Sequence, residues 1–246
     1  MSITGLPGQG PVRVGIPIAD LCAGLLCAQG ILMALLERER TGEGQWVTTS
    51  LLEAQIFMLD FQASRWLNTG VVPQQAGNNH PTSIPTGAFK TADGHINIAA
   101  SEQKFFTRLC SAIGAEGLAS EPAFATEAAR SGNRDRLSRE IEERLASGDS
   151  AAWIERLSAA GVPCGPIYSI DQVFADPQVR HLGMVQSVES PHYNPLRLVA
   201  QPVHLSGARG EVCLRPPEMG EHNEEILTSL GYSAEEIGGL KERGII

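Results

Sequence analysis

The sequence predicts an α/β protein, and three features carry that prediction. Near the start, two apolar helical patterns flank a short strand-like run at 45–49, a helix–strand–helix unit. In the middle, Asp93-Gly94 separates two alternating apolar runs, a strong hairpin signal. Helical patterns separated by glycine and proline punctuation follow it. With 246 residues, 42% hydrophobic and 19% charged, the chain has the composition of a soluble globular protein of one or two domains, large enough to bury a core.

The chain opens on "MSITGLPGQGPVRVGIPIAD", in which Gly5, Gly8 and Gly10 suggest a phosphate loop. That reading fails on chemistry. No strand-like run precedes the glycines and no lysine follows them. The helix cap expected at Asp20 is also too distant for the loop to crown that helix. The first helix runs from Asp20 into "LLERER". The apolar stretch 14–36 is interrupted by Pro17, Asp20, Gly24, Gln29 and Gly30 and lacks a basic leader, so it reads as a buried helix, not a membrane span.

A second helix is expected over 50–70, opened by a Ser50/Glu53 capping box and closed by Gly70. "VVPQQAGNNHPTSIPTG" reads as a long loop and "GAFKTADGHINIAA" as the hairpin. Helices are expected at 102–113, 134–146 and 150–160, the last stopped by Gly161-Val162-Pro163. "VPCGPIYS" reads as a strand or turn. "DPQVRHLG" reads as a short helix with Asp176 as cap and Pro177 at its first position, and "MVQSVES" as a strand. Two helices end the chain, the second capped by Ser233 with Glu236.

A net charge of −9 argues against nucleic acid or an anionic membrane as the main partner, while leaving room for a small anionic ligand. The five cysteines, Cys22, Cys27, Cys110, Cys164 and Cys213, form no C-x-x-C pair and read as reduced thiols of a cytoplasmic protein. The six histidines show no metal-ligand spacing, so no metal is expected. Cys164 in "VPCGP" reads as a small packed residue, and His222 as a local hydrogen-bonding group at a helix start.

Five stretches in order resemble the family III CoA-transferases (the CaiB/BaiF family) over essentially the whole chain. They are "MSITGLPGQGPVRVGIPIADLCAGL", "ERERTGEGQWVTTSLLEAQ", "GNNHPTSIPTGAFKTADGHINIAA", "AGVPCGPIYSIDQVFADPQVRHLGMV" and "PPEMGEHNEEILTSLGY". The resemblance implies the C-terminal part of that fold: a partial Rossmann-like large domain over 1–75, a smaller α+β domain over 76–190, and a return to the large domain over 191–246. It implies exchange of CoA between carboxylic acids, with acyl-CoA and an acceptor acid as substrates and no permanently bound cofactor. Covalent catalysis by an aspartate through a mixed anhydride is the implied chemistry. A racemase branch that inverts 2-methylacyl-CoA with a His/Asp pair is the alternative, as is an inactive fragment or one subunit of a split enzyme.

In the family, the segment matching Met1 lies mid-sequence, downstream of the nucleophile and of most CoA contacts, so the resemblance implies that no catalytic residue lies within this chain. An interlocked homodimer, or a partner chain supplying the N-terminal half, is implied as well. The aspartates present offer no substitute. Asp20, Asp149 and Asp176 read as caps, Asp93 as a turn residue, Asp171 as a first-turn carboxylate and Asp135 as part of a solvated face. Asp60, on an apolar helix, calls for an Arg65 or Gln62 partner or an edge facing water. Two features remain as site candidates. The loop residues Asn78, Asn79 and His80 occupy the position of a glycine-rich lid in formyl-CoA transferases, without its glycine run, and ordinary turn chemistry is their other reading. Glu102 resembles an acidic residue of the racemase branch, although Gln103 replaces the expected proline and a helix start also favours a carboxylate there.

Overall fold

The computed structural model describes residues 1–207, 210, 212 and 214–246, so Cys213 lies outside the described residues. The chain divides into two compact units, Met1–Ile167 and Tyr168–Ile246.

The first unit begins with an irregular segment and then α1 (Ile18–Thr41), α2 (Leu51–Phe57) and α3 (Asp60–Thr69). Gly42 and Gly70, both in the left-handed region, close α1 and α3, and the hydroxyl of Ser50 accepts from the Glu53 amide at the start of α2. The antiparallel pair β1 (Thr86–Lys90) and β2 (His95–Ala99) follows. Helices α4 (Gln103–Ala112), α5 (Glu116–Ser120), α6 (Glu127–Gly132), α7 (Arg134–Leu145) and α8 (Ser150–Ala159) come next. β3 (Cys164–Pro166) then pairs antiparallel with β2, giving the sheet order β1-β2-β3.

The core of this unit is built almost wholly from residues between Ile84 and Val162. Alternation along β2 buries Ile96 and Ile98 while His95, Asn97 and Ala99 face outward. Phe106 and Leu109 of α4, Leu137, Ile141 and Leu145 of α7 and Leu157 of α8 meet that face with no measurable exposure. Each such side chain contributes about 1.5–3 kcal/mol by its removal from water. The hairpin tip is tied to this layer by Asp93, whose carboxylate accepts from the Ser150 amide and hydroxyl, both at 2.8 Å.

The second unit holds α9 (Ile170–Ala175) and α10 (Pro177–His181), then the antiparallel pair β4 (Val185–Val188) and β5 (Leu196–Val199). It ends in α11 (Asn223–Ser229) and α12 (Ala234–Glu242). Asp176 caps α10 ahead of Pro177, and Ser233 with Glu236 forms the capping box of α12.

Four expectations are corrected. No strand forms at 45–49, so the helix–strand–helix unit is absent: Val47, Thr48 and Thr49 have β character but no strand pairs with them. Asp20 does not cap α1, because Pro17 takes the cap position and Asp20 sits in the first turn, where the helix dipole still favours it. The helix expected over 50–70 is two helices, broken at Met58 and Leu59, with Asp60 at φ 49°. Finally, α1 is not buried. Cys22 is its only buried residue, since α2 covers a single stripe of a helix that is apolar all round.

Candidate functional site

Two loops of the first unit are laced together. Gln75 donates its side-chain amide to the Thr4 and Gly10 carbonyls at 2.6 Å each, and the Gly77 amide donates to the Gly5 carbonyl at 3.0 Å. Gly5, Gly8, Gly10 and Gly77 all take positive φ, so this close weave depends on residues without a Cβ. The glycine-rich opening segment is therefore half of a loop pair and crowns no helix.

The second loop carries Asn78, Asn79 and His80 over β1. Ala88 donates to the Asn78 carbonyl at 3.0 Å, Asn79 forms a bridge with Gly87, and the His80 amide donates to the Thr86 carbonyl at 2.7 Å. Gly87 permits that approach. A Cβ there would collide with the Asn78 carbonyl and fall 3.0 Å from the Asn79 Cα. The His80 ring is held on two sides. Its Nδ1 accepts from the Ser83 amide at 2.9 Å and the Thr82 amide at 3.2 Å, and its face stacks on Phe61 of α3 with centroids 5.5 Å apart.

Two arginines fasten the far side of the loop. Arg134 donates to the Pro81 carbonyl at 2.5 Å. Arg130, only 1% exposed, donates Nε to the Ile84 carbonyl and Nη2 to the Ser101 carbonyl. Its Nη1 reaches the Phe124 carbonyl and Gln103 Oε1, and the guanidinium lies over Phe106. Burial pushes its pKa down, partly offset by Glu127, and no carboxylate hydrogen-bonds to it among the described residues. The fork thus joins the end of the His80 loop to the β2–α4 connection.

Of the sequence candidates, Asn78 is exposed, Asn79 and His80 are half-buried, and all three stand on this one loop. Glu102 stands elsewhere, at the N-cap position of α4, where its carboxylate caps nothing and pairs with Lys104 at 3.0 Å. No hydrogen bond joins Glu102 to the loop among the described residues. Asp60 is exposed, an edge facing water, with neither Arg65 nor Gln62 as partner. Among the described residues no group of three or more His, Cys, Asp or Glu gathers at one point. Cys164 is half-buried against Ser158 and Ile154, and His222 meets Glu225 at 3.3 Å at the start of α11. Cys110 is buried, and its thiol is pushed up to about 11 by desolvation, which makes it unreactive.

The sequence reading missed Phe61, Gly87, Arg130 and Arg134. Gly87 had a signal, a glycine inside a strand pattern, which marks a close backbone approach. Arg130 in "EAARSG" had none, because its acceptors lie 6 to 46 residues away.

A mixed α/β fold with two interlaced loops, one of which presents side-chain donors, is the class this geometry defines. The sequence profile of CoA-transferase family III matches residues 1–223, and the chain belongs to that family. It is 34% identical over its whole length to an acyl-CoA transferase of Fusarium pseudograminearum and 31% identical to the human succinyl-CoA:glutarate CoA-transferase. It spans 54% and 56% of those two proteins, about half the length of each. The crystal structure of a CaiB/BaiF family protein from Brucella suis superposes with a TM-score of 0.78 at 33% identity, covering 94% of this chain and 60% of that one.

Proposed function

We propose that this chain takes part in CoA transfer from an acyl-CoA, succinyl-CoA in the first instance, to a small dicarboxylic acid. The observation that carries the reading is the loop pair: the family match runs through it, and it holds Asn78, Asn79 and His80 rigidly with side-chain donors to spare. Relatives named for succinyl-CoA with glutarate, mesaconate and citramalate point to dicarboxylates as the substrate class. Coenzyme A enters as part of the substrate.

The reaction splits one acyl transfer into easier steps through a carboxylate nucleophile. The aspartates here do not supply it. Asp149 and Asp176 are occupied as caps, Asp93 and Asp171 accept from neighbouring hydroxyls, and among the described residues Asp20, Asp60 and Asp135 make no hydrogen bond to the loop pair. In this reading the nucleophile comes from polypeptide beyond these 246 residues, in a homodimer of a longer protein or from a partner chain. What this chain contributes is a rigid wall of donors that holds the acid substrate and limits its freedom during attack.

The test is an assay of succinyl-CoA with glutarate, run on the purified chain and on the chain co-expressed with the part of the Fusarium relative that it does not match. The expected result is no transfer by the chain alone and transfer by the pair. Turnover by the isolated chain would overturn the external nucleophile. No turnover by a stable complex would overturn the transferase reading, and α-proton exchange of a 2-methylacyl-CoA in deuterated water would replace it with the racemase one.

A further inference from the structure

The geometry points to His80 as a fixed Nε2–H donor to a carboxylate oxygen of the acid substrate, a positioning and specificity-determining role that rests on the function proposed above. Its Nδ1 lone pair is taken by the Ser83 and Thr82 amides, at 2.9 and 3.2 Å. Two donors on one ring nitrogen leave no place for a proton there, so the ring carries its hydrogen on Nε2. Nε2 has no hydrogen-bond partner among the described residues. The ring cannot turn away, since Phe61 stacks on its face and its own backbone amide is tied to Thr86.

The rest of the loop supports the same reading. The Pro81 and Ile84 carbonyls are held by Arg134 and Arg130, and the Asn78 carbonyl by Ala88. The side-chain amides of Asn78 and Asn79, on the same loop, make no hydrogen bond among the described residues and are further donors that the chain leaves unused. A backbone fastened at this many points, presenting donors that the protein does not itself use, suits an oxygen-rich ligand. A carboxylate accepts several such bonds at once, and a bond to a charged acceptor is stronger than one to a neutral oxygen.

Imidazole nitrogen spectra of the histidine-labelled chain test this directly, with His80 assigned from variants and glutarate as the probe. The expected spectrum shows unprotonated Nδ1 and protonated Nε2. Glutarate should shift the Nε2–H resonance saturably, while its diamide should not. His80→Asn keeps an acceptor for the Thr82 and Ser83 amides but removes the Nε2 donor. It should melt as the parent does and bind glutarate about tenfold more weakly, the loss expected for one bond to a charged group. His80→Gln, with a donor near the Nε2 position, should recover most of that affinity. A proton on Nδ1, no shift with glutarate up to about 50 mM, or unchanged affinity in His80→Asn would each overturn the inference. A saturable shift on Nε2–H in a chain whose complex fails to transfer CoA would keep the carboxylate site and overturn the transferase reading alone.

Discussion

Arg130 carries its charge into the core with no carboxylate hydrogen-bonded to it among the described residues. Four uncharged acceptors and the Phe106 ring take its place. Removing the guanidinium leaves the Ile84, Ser101 and Phe124 carbonyls without partners inside the protein, and an orphaned buried acceptor costs about 1–3 kcal/mol. Arg130→Met, similar in bulk, is therefore expected to lower stability by at least about 3 kcal/mol, read as a fall in the urea midpoint with the slope unchanged. A change under about 1 kcal/mol would mean that the fork is incidental. Residue-scale features of this kind were legible only where the partner lies nearby in sequence. The caps at Ser50, Asp149, Asp176 and Ser233 are read from residues two or three positions apart and form as expected. The acceptors of Arg130 become neighbours only once the sheet and helices have assembled.

The hairpin shows the same distinction among elements. Its turn and alternation are local, so β1 and β2 follow directly from Asp93-Gly94 and the apolar runs beside it. The tether of its tip to the start of α8 is not local: Asp93 is held by the hydroxyl and amide of Ser150, and by Thr91, and these bonds depress its pKa. A carboxyl depressed by folding adds stability that is present above its unfolded pKa near 4 and lost as pH falls through the lower folded value. Acid titration of stability should accordingly show a loss beginning near pH 4 that Asp93→Asn makes smaller while matching the parent's slope at neutral pH. The remainder comes from Asp171, Glu221 and Glu236, which folding also depresses. An identical acid profile in both proteins would remove Asp93 from the hairpin's stability. The strand expected at 45–49 fails for the complementary reason. Its β-branched residues supply propensity, but a strand exists only with a partner to complete its hydrogen bonds, and the described residues provide none. The break between α2 and α3 had no glycine or proline to announce it, and Asp60 takes the left-handed conformation that turns the chain there.

Across the whole molecule, apolar character and burial part company. The core from Ile84 to Val162 is closed, whereas α1, α2 and the connection between them leave large side chains in water: Leu25 is 72% exposed, Leu36 73%, Phe57 68% and, in the connection, Trp46 90%. By length and composition alone α1 could cross a membrane, yet it ends in Glu37, Arg38, Glu39 and Arg40 and belongs to a chain whose family match runs straight through it. Exposed apolar side chains on this scale are unusual for a chain that stands alone and mark a surface that binds another surface. The sequence made the apolarity of α1 plain, but it does not encode which surface provides the cover. The expected behaviour of the purified chain is self-association, with a mass above 26.3 kDa in light scattering and strong binding of an environment-sensitive apolar dye. With the co-expressed remainder of the family fold present, a complex of defined mass should replace the self-associated species and the dye binding should be lost. Charged substitutions at Leu25, Leu36 and Phe57 should weaken self-association and also weaken recovery by the co-expressed remainder, because both draw on the same face. A 26.3 kDa species that binds no dye would show that these side chains find cover within the chain itself, and the external nucleophile would lose its physical basis.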